Sequence, residues 1–129
     1  MLDLALLPGE YVVCRLPAGT PLPAGLPAEP SDTEVVTVSW TANGISVICP
    51  GDRAPAQAAV ETDWRCLRLV EPADGAVTGT LAALVTPLAE ARVNVVAFST
   101  YDTDHVLVPA VRLAEATAAL ERAGHRVLR

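Results

Sequence analysis

The chain has no lysine. All nine of its basic residues are arginine, set against fifteen carboxylates, for a formal net charge of -6. That balance denies it the basic face that neutralises phosphates in nucleic-acid or anionic-membrane binding. The missing lysine itself reads as coding bias, and each arginine remains a planar, permanently charged donor. Aromatic side chains are also scarce: one Phe, two Trp and two Tyr in 129 residues. A core must therefore be aliphatic, and at 51% apolar residues there is material for one. Cysteine is limited to Cys14, Cys49 and Cys66, an odd count without a Cys-x-x-Cys pair. Each lies in a strand-like apolar run, which suits buried reduced thiols in a cytosolic protein. His105 and His125 are the only histidines and lack ligand spacing, so neither a metal nor another cofactor is expected. Gly-x-Ser-x-Gly, the phosphate-binding Gly-x-x-x-x-Gly-Lys and His-Glu-x-x-His are absent, and no catalytic residue is assigned. The apolar start is short, carries Asp3, lacks a basic region and meets Pro8 at once. A signal peptide or membrane span is disfavoured, and a cytoplasmic location follows by default.

The length suits one compact domain or two small fused units. The first half reads as β structure. Glu10–Leu16 is rich in strand formers, and Glu34–Thr41 alternates apolar and polar residues. Asn43-Gly44 between that run and Ile45–Cys49 is a strong hairpin signal. The proline- and glycine-rich run from Leu16 to Pro30 cannot be a long helix or strand. Residues 50–63 leave room for a short helix near Pro55–Val60. In Trp64–Val70, Trp64, Cys66 and Arg68 share one face and Leu67 and Leu69 the other.

The period then changes. Val77, Leu81, Leu84, Val85 and Leu88 recur at helical spacing, with Thr78 a candidate N-cap and Pro87 expected to bend the helix before it ends near Arg92. Two strands, Val93–Ser99 and Asp104–Val108, flank a tight turn around Tyr101-Asp102-Thr103. A second helix from about Pro109 buries Leu113, Ala116 or Thr117, Leu120 and Ala123, and Gly124 ends it. His125–Arg129 is a last short strand. From Trp64 onward the order is β-α-β-β-α-β, a ferredoxin-like α+β unit with an antiparallel four-stranded sheet and both helices on one face. The bare face needs a cover, for which Trp40 and Trp64 are candidates. Residues 1–60 read as a degenerate copy of the unit at residues 61–129.

Trp64-Arg65-Cys66-Leu67-Arg68, Gly79-x-Leu81, Pro87-Leu88-Ala89 and the string from Ser99 to Val108 (Ser-Thr-Tyr-Asp-Thr-Asp-His-Val-Leu-Val) resemble the ACT domain, a βαββαβ module that binds amino acids. Within that family they are similar to the CASTOR arginine sensors and small bacterial amino-acid-binding ACT proteins. The resemblance implies a ligand held between two ACT units. Thr78, Gly79 and Thr80 would form the loop before the first helix, and Thr100, Tyr101 and Asp104 the facing strand tip. Sensors of this group carry four units in one chain and this chain at most two, so a homodimer would be needed to rebuild the assembly.

A free amino acid offers a carboxylate and an ammonium. Amides at a helix start suit the first, Gly79 lets a ligand approach the backbone, and Asp104 can accept from a cation. Each residue also has a plainer role. Gly79 can serve helix packing, Asp102 and Asp104 can cap a turn, and Tyr101 can be core, interface or pocket wall. The expectation is a regulatory protein sensing a free amino acid and altering association with an effector protein. The alternative is a structural protein–protein interaction module without a small ligand.

Overall fold

The computed structural model describes residues 1–22, 26, 29–70 and 78–129. Val77, the first residue of the helical pattern, and part of the proline-rich run fall outside them. The chain divides into two compact units, Pro8–Asp63 and a C-terminal unit that joins Met1–Leu7 to Trp64–Arg129. The first seven residues, grouped by sequence with the N-terminal half, are thus part of the C-terminal unit.

The C-terminal unit contains β1 (Asp3–Leu6), the later part of β5 (Ala59–Val70), α1 (Thr80–Glu90), β6 (Val96–Ser99), β7 (Asp104–Pro109), α2 (Leu113–Arg122) and β8 (Arg126–Leu128). From β5 onward the order is the expected βαββαβ. The sheet itself is a correction to the four-stranded expectation. Strand β1 pairs antiparallel with β5 and parallel with β8, giving the order β6–β7–β5–β1–β8. Alternation along the strands sends Leu4, Leu67, Leu69, Val106 and Val108 into one aliphatic core with Leu84 and Leu88 of α1 and Ala116 and Leu120 of α2.

Both helices end by the same device. Arg92 and Gly124 take left-handed backbone at φ 60° and 94°. Val93 N–H then donates to Leu88 O, and His125 N–H to Leu120 O. These six-to-one bonds close Schellman motifs and satisfy carbonyls that would otherwise be stranded. Ala123, expected on the inner face of α2, is exposed and is the C-cap.

The Pro8–Asp63 unit contains β2 (Tyr11–Leu16), β3 (Thr37–Thr41), β4 (Gly44–Pro50) and the start of β5, in the order β3–β4–β2–β5. Val12, Cys14, Leu16, Ile45, Val47 and Cys49 form its core. The helix expected near Pro55–Val60 is absent. A single 3-10 turn at Gly51–Arg53 stands before it, and β5 begins at Ala59. The hairpin is present one residue earlier than read: Thr41 pairs with Gly44, so Ala42 and Asn43 make the turn. Gly44 follows it at the positive φ that sequence assigned, 141°, and meets a second need, because a Cβ there would lie 2.6 Å from Leu16 O. At the junction of the two units Asp63 sits at φ 68° within β5, a conformation that costs an L-residue about 1–2 kcal/mol.

Candidate functional site

The six residues singled out by sequence lie at one end of the C-terminal unit's sheet. Strand β5 leaves the sheet at Val70, β7 enters at Asp104, and β1 begins opposite Val70 at Asp3. The start of α1 is tied to that same end, since His125, next to β8, hydrogen-bonds Ala83 O in its first turns.

Thr78 is not the N-cap of α1. Gly79 holds that position at φ 84°, with Ala83 N–H donating to its carbonyl. Only glycine enters this conformation at low cost, which is why the helix starts one residue later than the pattern suggests. Gly79 has no side chain with which to cap the first amides. Among the described residues nothing lies within 4 Å of where its Cβ would stand, so the glycine answers the backbone angle. Thr78 is exposed and Thr80 half-buried.

The facing tip is a built turn. Thr100 N–H donates to Thr103 O at 2.9 Å, and the Thr100 hydroxyl accepts from the Asp102 and Thr103 amides at 3.3 Å each. Thr100 therefore does the capping assigned by sequence to Asp102, and its hydroxyl is engaged in the turn. Tyr101 points fully into solvent. Asp104 is half-buried, and Ser99 Oγ donates to its Oδ1 at 2.5 Å. Sequence reasoning missed Thr103, whose hydroxyl donates to Leu69 O at 2.9 Å and moors the tip to β5. No local pattern marks such a bond.

His105 is a β7 strand residue, as its place in the Asp104–Val108 run suggests, and it is more deeply buried than a half-buried position would be. It is buried on the helix-free face, stacked on Phe98 with ring centroids 4.9 Å apart, and its Nε2 accepts from Arg68 Nε at 3.2 Å. That bond leaves the neutral ring's proton on Nδ1, which is buried and has no hydrogen-bond partner among the described residues. Burial, then the Arg68 charge, push its pKa down to about 4 against a weaker opposing pull from Asp104. It is a neutral core group, not a base.

Hollows of about 500 and 550 Å³ open elsewhere. One is lined by Glu10, Ser31, Glu34 and Asp52, the other by Val85, Ala89, Arg92 and Val95. None of the six residues lines either. Among the described residues no group of three or more His, Cys, Asp or Glu could hold a metal ion, and no helix is long and apolar enough to cross a membrane.

Residues 59–122 match the ACT domain family. In structure the chain is similar to protein Atu0741 from Agobacterium tumefaciens, at 29% identity and a TM-score of 0.87 over 98% of this chain and 92% of that one. It is similar also to VC0802 from Vibrio cholerae, described as a possible transport protein, at 22% identity and a TM-score of 0.73 over 95% and 89% of the two chains. The ligand-free regulatory subunit of aspartate kinase from Thermus thermophilus shares the fold, at 12% identity and a TM-score of 0.60 over 93% and 96%. No curated protein gives a significant sequence match.

Proposed function

We propose, from an ACT-like unit that both the family match and the βαββαβ order support, that this chain is a regulatory protein that binds a free amino acid. The observation that carries the reading is the start of α1. Gly79 opens the helix without a side chain, has no described residue within 4 Å of its Cβ position, and begins the helix that His125 ties to the sheet end carrying Asp104. The first amides of a helix attract a carboxylate, and a half-buried carboxylate at 104 suits an ammonium or a basic side chain. Thr78, Thr80 and Tyr101 would border the ligand, with Thr100 holding the tip in shape. A second copy of the chain would supply the opposite wall, and the Pro8–Asp63 unit would act as a degenerate ACT-like half. The narrower likeness to the CASTOR arginine sensors, a cytoplasmic location and an effector partner belong to the same proposal. So does the absence of chemistry on the ligand.

A thermal-shift screen of the twenty amino acids tests it, because a ligand that binds only the folded state raises the midpoint by mass action. Asp104→Ala should weaken any hit at least about tenfold, through loss of a charge-assisted bond. No response to any amino acid at millimolar concentration overturns the reading. The fully exposed Tyr101 and the exposed Trp40 favour a second reading, a protein–protein module with no small ligand. Native mass spectrometry would then find one partner copurifying at every amino-acid concentration.

A further inference from the structure

Pro87 lies inside α1 and has no N–H, so the regular helical bond to the carbonyl four residues earlier, on Ala83, is missing. The proline ring also crowds that carbonyl. A different donor reaches it. His125 Nε2 lies 3.0 Å from Ala83 O, while His125 Nδ1 accepts the Leu2 backbone N–H at 3.2 Å. The second bond assigns the tautomer: Nδ1 offers its lone pair, so Nε2 carries the proton and donates it to Ala83.

The imidazole is held in place from behind. Gly124 N–H donates to Glu121 O and His125 N–H to Leu120 O, both at 3.0 Å, which locks His125 just past the end of α2. On the other side Arg126 N–H donates to Leu2 O at 2.8 Å, and the Arg126 guanidinium pairs with Asp3 at 2.8 Å. One ring therefore stands between the first turns of α1 and the entry to β1.

We propose that Pro87 and His125 act as one latch. The proline frees the Ala83 carbonyl, the histidine takes it, and the start of α1 is thereby tied to strand β1. Displacing the start of α1 then loosens the first residues of β1. The latch rests on these bonds alone and on no ligand. Failure of the amino-acid screen removes the sensing reading and leaves the latch to its own test.

Two substitutions separate the two bonds. His125→Gln reaches the Nε2 position and keeps a donor for Ala83, but loses the acceptor for Leu2. His125→Asn reaches the Nδ1 position and does the reverse. In hydrogen exchange followed by NMR on the full chain, the Leu2 amide should exchange roughly tenfold faster in His125→Gln and change little in His125→Asn. In urea denaturation, His125→Asn should weaken the wild-type chain more than a Pro87→Ala chain, where residue 87 supplies Ala83 with its missing donor. The expected coupling is at least about twofold in the unfolding constant. Unchanged Leu2 exchange in His125→Gln, or a coupling of zero within error, overturns the latch.

Discussion

At the scale of single residues the chain's chemistry is mostly burial. His105 titrates near 4 when folded, mainly because burial disfavours its charge, and near 6.5 when unfolded. Between those values the unfolded chain binds the extra proton. Stability should therefore be full above about pH 6.5 and fall by about 3 kcal/mol as the pH drops toward 4. Asp3 acts in a lower window, because its hydrogen bond to Arg126 depresses its pKa below the ordinary value of 3.8. Urea melts across pH 4–7 should show the slope in the wild type and a flatter profile in His105→Gln; equal slopes would refute the assignment. The cysteines follow the same logic. Burial pushes the Cys66 and Cys49 thiols up to about 12, with neighbouring Cys14 adding to the rise at Cys49. A thiol at that value has almost no thiolate near neutrality. All three cysteines should resist iodoacetamide in the folded chain at pH 8 and react together once urea unfolds it, as mass spectrometry would count. Their free, buried state was legible in the sequence from their apolar runs. The turn chemistry was not, since Thr100, Asp102 and Thr103 are all good turn formers and only the backbone angles choose among them.

At the scale of elements, periodicity carried the reading where one face is buried and failed where a single backbone angle decides. Leu84 and Leu88 of α1, and Ala116, Thr117 and Leu120 of α2, are buried as their spacing requires, whereas Leu81, in the same pattern but in the first turn, is exposed. The ends were harder. Gly124 announces the close of α2, but α1 closes on Arg92, whose left-handed backbone no pattern advertises. Its cost is offset by the burial of Val93 beside Leu88 and by Arg112, whose guanidinium donates to Ala91 O and Arg92 O at 3.4 Å. A cation on those carbonyls also favours the helix dipole. Arg92→Gly removes the steric penalty and keeps every one of these backbone bonds. It should raise stability by about 0.5–1 kcal/mol in urea denaturation. Destabilisation would show that the arginine side chain itself holds the motif. Gly44 makes the opposite case. Its Cβ would meet the Leu16 backbone at 2.6 Å, and backbone cannot swing aside as a side chain can. Sequence located that glycine for the positive φ it does take, 141°, and missed the close approach, which demands the same residue.

At the scale of the whole chain, the feature no local pattern discloses is where Met1–Leu7 goes. Strand β1 has four residues, too few for a period, and its partners lie more than sixty positions away. A reading that moves along the chain therefore places the fourth strand of the βαββαβ order directly beside the first. In the structure β1 stands between them. It meets β5 through four residue pairs and β8 through three, and sends Leu4, with no exposure at all, into the core beneath both helices. Taking it away costs more than one strand. The facing edges of β5 and β8 lose their ladder partners together, β8 loses its only neighbour among the described residues, and the latch at His125 loses Leu2. The graded test is Leu4→Ala, which leaves the ladders intact and removes only buried methyl groups; it should cost about 2–5 kcal/mol. Deleting residues 2–7 should do worse and abolish the cooperative thermal transition of the Trp64–Arg129 segment, followed by the near-ultraviolet signal of Trp64. A deleted chain that still melts cooperatively within about 5 °C of the intact one would mean that β8 can close directly onto β5, and that β1 is an addition to a four-stranded unit sufficient in itself.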